Sequence, residues 1–168
     1  MKTFSTTLER FESDLWHYHI KVPEAACEPF MDMDAKRVVC TLNGTEKFHC
    51  ALMPDGLGGF FININKEIRT KLHVELGDEV RFSLERDESK YGLPMPQELE
   101  ELLKLDDEGN RHFHALTPGK QRSLIFIIGK PKNSDTRLRK ALGVVDYLKS
   151  TGGKLDFKAL HEALKVKR

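Results

Sequence analysis

The chain has 168 residues, of which 39% are hydrophobic and 32% are charged, a balance typical of globular proteins. The longest apolar run, 124–128, is far shorter than the roughly 18 residues that a membrane-spanning helix needs, so no membrane span is expected. The formal net charge of +1 is unevenly distributed. Residues 1–90 carry 12 basic and 16 acidic side chains, residues 91–117 carry 2 and 6, and residues 118–168 carry 13 and 4. This asymmetry predicts either an anionic partner or pairing of the two parts with each other.

The three cysteines predict a cytoplasmic protein. Cys27, Cys40 and Cys50 match no C-x-x-C or zinc-ribbon spacing, and the first residues show no signal-peptide pattern. An odd number of cysteines without a secretion signal is typical of reduced thiols. We expect the three to be small core residues, because Cys40 and Cys50 lie out of register on neighbouring predicted strands.

Alternating hydrophobic and polar residues predict strands in the first ninety residues. Asn43-Gly44 is the strongest hairpin signal, because a type I′ turn needs positive φ at both central positions. Pro23 predicts the start of a short helix, since proline suits the first helical turn. The expected strands span 3–11, 16–22, 38–42, 48–53, 60–64 and 80–84, with short helices over 25–31 and 66–72.

The segment from Ile62 to Val80 contains a strand, a Lys-Glu-Ile-Arg helix and a Gly-Asp turn. It resembles the AbrB/MazE swapped-hairpin signature, although Asn65 and His73 replace the proline and the glycine that are usual there. The resemblance implies a small β-barrel over residues 1–90, and it raises the alternative of a DNA-binding regulator.

A weak internal repeat accompanies this signature. Residues 16–42 have the order strand, helix, turn and strand, and residues 60–84 have the same order about 42 to 44 residues later. Members of the AbrB/MazE fold usually place one such unit on each of two chains. Two units in one chain predict a closed pseudo-symmetric barrel within one molecule, and therefore a monomer.

The rest of the chain is predicted to be helical. Glycine and two prolines at 91–96 indicate a linker, and residues 97–168 then form helices over about 98–105, 118–129, 134–151 and from 157 onward. Thr117, Asn133 or Ser134, and Asp156 are the expected N-caps. The third of these helices is predicted to bury an apolar stripe made of Leu138, Ala141, Leu142, Val145 and Leu148.

A second resemblance covers nearly the whole chain. Leu93-Pro94 and an acidic, leucine-rich helix precede the run from Leu116 to Arg122, and Lys130, Lys132 and the run from Asp135 to Lys140 follow. These residues resemble the bacterial YdeI/OmpD-associated family, also called bacteriocin-protection, in which a helical module follows a barrel domain of unknown function. The resemblance implies a mainly β plus α fold and a link to stress or bacteriocin protection. It supplies no reaction.

No motif in the sequence predicts catalysis or a cofactor. A nucleophile elbow, a P-loop and a G-x-G-x-x-G fingerprint are all missing from the sequence. His17 and His19 alternate on one strand and could meet a metal ion, but no third ligand stands at a recognisable spacing. We therefore predict no catalytic residue, no metal site and no cofactor, and read these histidines as exposed. His112 and His114 flank Phe113 in a predicted loop or short helix and are treated in the same way.

Basic residues are concentrated in one stretch of the helical part, residues 120–140. The candidate anion- or partner-binding residues are Lys120, Arg122, Lys132, Arg137, Arg139 and Lys140, with Lys130 beside them. The helix starts at Pro118 and Ser134 would add backbone donors for an anion. The alternative is internal pairing of Arg137 and its neighbours with the acidic helix at 98–101 or with the acidic barrel.

Three functions follow, in decreasing order of support. The first is a non-enzymatic binding module whose basic helical face meets an anionic partner. The second is a DNA-binding regulator, which is not favoured because the barrel is acidic and closes within one chain. The third is an enzyme with an unrecognised site in a cleft between barrel and helices.

Overall fold

A computed structural model describes residues 1–12, 18–33 and 36–166, which form two compact units, Met1–Glu88 and Ser89–Arg168. Each unit has a hydrophobic core of its own. Trp16 and His17, at the start of the strand predicted over 16–22, lie outside the described residues. None of the helices in the described part has both the length and the apolar character that crossing a bilayer requires.

The first unit is a nearly closed antiparallel barrel, which confirms the predicted fold class. Its seven strands have the spatial order β4-β3-β7-β1-β2-β6-β5, and β4 lies close to β6. The strands are β1 (Phe4–Arg10), β2 (Tyr18–Val22), β3 (Arg37–Leu42), β4 (Glu46–Ala51), β5 (Met53–Pro54), β6 (Phe60–Asn63) and β7 (Glu79–Arg86). Helix α1 (Glu24–Cys27) with a 3₁₀ turn (Glu28–Phe30) joins β2 to β3, and α2 (Lys66–Leu72) joins β6 to β7.

The barrel consists of two similar halves. Strands β2 and β6 pair with Ile20 opposite Ile62, and β3 and β7 pair with Thr41 opposite Ser83. Both pairs join residues 42 positions apart in the chain, which is the relation expected of equivalent strands across a twofold axis. The same shift relates β1, which begins at residue 4, to β4, which begins at residue 46. The repeat therefore includes one strand more per half than the sequence pattern indicated.

The hairpin between the halves has the predicted turn. Asn43 and Gly44 have φ values of 50° and 73°, and the Thr45 amide donates to the Leu42 carbonyl at 3.2 Å. The strand predicted over 48–53 is interrupted: β4 ends at Ala51, and the two-residue β5 pairs with β6. Buried Leu52 lies at this break, and its amide donates to the Lys36 carbonyl at 3.0 Å.

Helix α2 spans the residues predicted for it, and its ends explain the two departures from the usual signature. The Asn65 side chain accepts a hydrogen bond from the Ile68 amide at 2.9 Å, so an amide cap stands where a proline is usual. His73 ends the helix with φ 53°, a left-handed conformation that glycine adopts more readily. The Asp78 carboxylate then accepts from the Glu75 amide at 2.8 Å and holds the predicted turn.

All three cysteines are free and belong to the barrel core or its edge. Cys40 lies opposite Phe48, and Cys50 lies opposite Val38, so the two cysteines are out of register as predicted. Burial raises the pKa of the Cys50 thiol to about 12 and raises that of Cys40 as well. Neither thiol is therefore an activated nucleophile at neutral pH.

The second unit is helical. Its helices are α3 (Gln97–Leu105), α4 (Asp107–Ala115), α5 (Pro118–Gly129), α6 (Ser134–Ser150) and α7 (Phe157–Val166). Residues Tyr91, Leu93 and Met95, predicted as part of a linker, pack against the core of this unit. For α4, the sequence predicted only a loop or a short helix around His112 and His114, and the structure shows a helix of 9 residues. Asp106 starts it by accepting a hydrogen bond from the Gly109 amide at 2.9 Å, and its other carboxylate oxygen lies 2.7 Å from Lys149 Nζ.

Helix α6 buries part of the predicted stripe and a wider face beside it. Ala141, Val145 and Leu148 are buried as predicted, whereas Leu138 and Leu142 are exposed and Gly143 and Val144 are buried instead. The prediction was wrong at Leu138 and Leu142 because α6 packs against α3, α4, α5 and α7. A helix with several neighbours buries a wide face, which a single stripe of large apolar residues does not describe.

Candidate anion-binding groove on the helical unit

Helices α6 and α7 form a hairpin whose ends are specified locally. Asn133 caps α6 by accepting from the Thr136 amide at 3.2 Å. Gly152 and Gly153, with φ values of 63° and 87°, let the chain turn back after α6. The Asp156 carboxylate accepts from the Ala159 amide at 2.9 Å at the start of α7. The predicted caps of both helices are thus confirmed.

The two helices approach each other closely at Gly143. A Cβ atom on Gly143 would lie 2.6 Å from Leu164 Cδ2, so a larger residue there would require the Leu164 side chain to move. Leu160, one turn before Leu164, is fully buried in the core of the unit. Both leucines thus pack α7 against the unit beside Gly143.

A groove of about 440 Å³ lies where α5, α6 and α7 meet. Its apolar lining is Ile127 and Leu164, and its polar lining comes mainly from α6 and α7. We call it the helical groove, and its lining residues are Ile127, Thr136, Arg139, Lys140, Gly143, His161, Leu164 and Lys165. Arg139 and Lys140 were predicted as binding residues, and the structure places them together here.

The electrostatics of the helical groove are one-sided. Three permanent cations and one histidine line it, and the described lining residues include no carboxylate. Among the described residues, neither Arg139 nor Lys140 takes part in an ion pair. Lys165 lies 3.3 Å from Glu162, but both side chains are 67% exposed, so this pair is weak. An anion in the groove would thus meet charges that are not already neutralised.

Arg137, by contrast, is committed to internal contacts. Its Nη2 lies 2.9 Å from Glu98 Oε1, and its Nη1 donates to the carbonyls of Pro131 and Lys132. Ser134 Oγ donates to the same Glu98 oxygen at 2.8 Å. The hydrogen bond from Arg137 lowers the pKa of Glu98 to about 2, with Ser134 contributing. Arg137 thus takes the internal role that was the alternative to anion binding.

The remaining predicted cations lie outside the groove lining. Lys120 is exposed in the first turn of α5, seven residues before Ile127 and so on the same helical face. Arg122 is half-buried on α5, and Lys132 is exposed in the loop before α6. Lys130 Nζ lies 5.8 Å from the centre of the Phe126 ring. Lys120 therefore shares a helical face with the groove residue Ile127.

The histidines that the structure describes lie apart from one another. Within the described residues, no group of three His, Cys, Asp or Glu side chains could hold a metal ion. His17 lies outside those residues. His19 was read as exposed, which was wrong: it is 2% exposed and stacks on Phe11 with ring centres 3.8 Å apart. His112 and His114 lie on α4, where the His114 ring bonds the Tyr91 hydroxyl at 2.8 Å.

Sequence reasoning missed His161 and Lys165. They lie four residues apart on α7, the spacing that places two side chains on one helical face, with Leu164 between them. That spacing was readable from the sequence. The contact of this face with Arg139 and Lys140 was not, because it depends on the close approach at Gly143.

Fold and groove together define a class of protein: an antiparallel β-barrel followed by a helical module with a cationic groove. Comparison with protein families confirms the resemblance to the YdeI/OmpD-associated family, with its barrel domain of unknown function. Residues 4–84 match a family described as a domain of unknown function, DUF1905, and residues 93–150 match a family described as bacteriocin-protection, YdeI or OmpD-associated. No curated protein matches the chain. The second match includes α6 and ends before α7, which supplies His161 and Lys165.

Proposed function

We propose that the protein is a binding module, without catalytic activity in the helical groove, that captures an acidic segment of a partner protein. The observation that carries this proposal is the set of cations Arg139, Lys140 and Lys165 around an apolar floor. Charged rims steer and select an anionic partner, while apolar contacts supply much of the affinity.

The apolar floor favours an acidic peptide over nucleic acid. Ile127 and Leu164 give a leucine-like side chain a place to bind, and the cations beside them suit carboxylates on either side of it. A nucleic-acid surface depends chiefly on phosphate neutralisation and has no need of such a floor. The DNA-binding alternative is therefore the competing outcome of the test.

Three further points belong to this proposal. A cytoplasmic location fits the three free cysteines. A monomer fits a barrel whose seven strands come from one chain. A role in bacteriocin protection or stress is suggested by the description of the matched family.

The test is a binding titration with fluorescent synthetic peptides of alternating Glu and Leu, followed by fluorescence anisotropy. We expect binding that weakens with salt, and weakens about tenfold when Arg139 and Lys140 are both replaced by alanine. A peptide with Ser in place of Leu should bind less well. The matched control is Lys154→Ala with Lys158→Ala, which removes the same charge from the same unit outside the groove.

Two results would contradict the proposal. One is an equal loss of affinity in the control variant, which would mean that only net charge matters. The other is tighter binding of duplex DNA than of the peptide at physiological salt, with the same dependence on Arg139 and Lys140. That result would favour the regulator.

A further inference from the structure

The two halves of the barrel differ in one respect. In the first half, β1 pairs with both β7 and β2. Its equivalent in the second half, β4, pairs with β3 and lies close to β6, but no ladder joins β4 to β6 among the described residues. The chain breaks at Leu52 and continues as β5, which pairs with β6 instead. The barrel is therefore closed on one side and open on the equivalent side.

A groove of about 570 Å³ opens beside this unpaired side. We call it the barrel groove, and its lining residues are Tyr18, Arg37, His49, Cys50, Ala51, Met53, Asn63, Ile64, Asn65, Lys66 and Arg69. They come from the ends of β3, β4 and β6, from the starts of β2 and β5, from the segment between β6 and α2, and from α2 itself. The volume is within the range of small-molecule sites.

The charge of the barrel groove is opposite to that of its unit. Arg37, Lys66 and Arg69 bring three permanent positive charges to it, and no Asp or Glu is among its described lining residues. Residues 1–90 as a whole carry 12 basic and 16 acidic side chains. Three cations converging on one cavity of an acidic unit suit a ligand with two or more negative charges.

Two of the groove side chains are held in place by contacts, and the guanidinium of Arg69 keeps further N–H donors for a ligand. The Arg69 guanidinium carbon lies 3.8 Å from the centre of the Tyr18 ring, and Arg69 Nη1 donates to the Ile64 carbonyl at 2.7 Å. His49 Nδ1 lies 2.8 Å from Asp87 Oδ2, whose side chain is 1% exposed, and this contact fixes the orientation of the ring; Nε2 donates to a ligand only when the ring is protonated. Preorganised donors of this kind lower the cost of ordering a site on binding.

We propose that the barrel groove binds the phosphate group of a small phosphorylated molecule. A guanidinium presents several N–H donors in a plane and matches phosphate oxygens in pairs. Arg37, Arg69 and Lys66 supply the charge for a dianion, and the Asn63 side chain lines the same groove beside them. This inference concerns the barrel alone and is independent of the peptide site on the helices.

The test is a titration of the nitrogen-15-labelled full chain, followed by amide chemical shifts at constant ionic strength. The probes are inorganic phosphate, ribose 5-phosphate and adenosine monophosphate, with acetate as the monoanion control. We expect saturable shifts at residues 49–51 and 63–69 with each phosphate probe. Tighter binding of either ester than of inorganic phosphate would identify a phosphorylated molecule as the ligand, and equal binding would identify the phosphate ion.

The matched variants are Lys66→Ala and Lys71→Ala, which remove the same charge from the same short helix, inside and outside the barrel groove. Both lysines are exposed, so both variants should fold. We expect Lys66→Ala to weaken phosphate binding about fivefold and Lys71→Ala to change it less than about twofold. Equal weakening in the two variants, acetate binding as tightly as phosphate, or no saturation with any phosphate probe would overturn the proposal.

Discussion

The barrel groove and the helical groove contain the same kinds of charge, but the two sites hold them differently. Each has three permanent cations and one histidine. In the barrel, Arg69 is held against Tyr18 and the Ile64 carbonyl, and His49 is held by buried Asp87. On the helices, Arg139, His161 and Lys165 are exposed beside an apolar floor. Fixed donors select the geometry of a small anion, whereas exposed cations over an apolar floor accept a flexible acidic segment.

The largest effect should come from a variant that destabilises the helical unit and leaves the barrel folded. Leu160 is fully buried and holds α7 on the helical unit, so Leu160→Ala should lower the free energy of unfolding of that unit by about 2–5 kcal/mol. Urea titration followed by amide shifts of each unit measures this. Peptide binding should be lost at a urea concentration that leaves phosphate binding intact.

Leu105→Ala is the control for that experiment, because Leu105 is 85% exposed and its loss should change stability little. If Leu160→Ala also removed phosphate binding, the two grooves could not be treated as separate sites.

An intermediate effect should come from replacing arginine by lysine in each groove. Arg69→Lys keeps the charge but removes the planar donor set and the stacking on Tyr18, so phosphate affinity should fall about tenfold. Arg139→Lys keeps the charge at an exposed position, so peptide affinity should change by less than about twofold. The titrations described above measure both. Equal effects would contradict the distinction between fixed and exposed cations.

The smallest effect should be at Glu98, outside both grooves. Its pKa is lowered to about 2 by the hydrogen bond from Arg137, so ionised Glu98 stabilises the folded helical unit. That contribution is complete above the ordinary carboxyl pKa of about 4.5 and is lost as the pH falls toward 2. Glu98→Gln should lower the melting temperature by a few degrees at pH 7, and by less near pH 2.

Glu101→Gln is the matched control on the same helix, because its partner Lys104 lies 3.4 Å away and both side chains are more than half exposed. Thermal unfolding at the two pH values checks the prediction. A pH-independent difference between wild type and Glu98→Gln would show that the carboxylate charge is not what matters.

The sequence predicted the elements that depend on local chemistry. Asn43-Gly44, the caps Thr117, Asn133 and Asp156, and the boundaries of α2 all lie where the residues indicated. Around His112 and His114 the sequence left a loop and a short helix as alternatives, because α4 has few apolar residues and its cap, Asp106, stands directly after another helix. The signature and the internal repeat predicted the barrel, but no feature of the sequence indicated the break in the strand at Leu52.

The sites were predictable only in part, for a physical reason. Arg139 and Lys140 are adjacent in a visible basic cluster, and Arg137 belongs to the same cluster but turns inward to Glu98. Which way a side chain turns depends on what packs beside it. Lys66 and Arg69 lie on α2, and Arg37 lies on β3. Arg37 comes near the other two only because of the order of the strands in the barrel. A scattered site of this kind leaves no local pattern.

The pairing of β1 on both sides has a consequence for how the two halves of the barrel can change. A barrel of two similar halves offers each strand pairing twice, and one complete ladder of the two is enough to hold the sheet together. The ladder from β1 to β2 constrains every residue along it, since a change of register would move a whole set of side chains to the wrong face. The equivalent edge of β4 carries no such ladder among the described residues. Of the ladders that the described residues form, β4 is therefore held by the one with β3 alone, and its other edge borders the barrel groove.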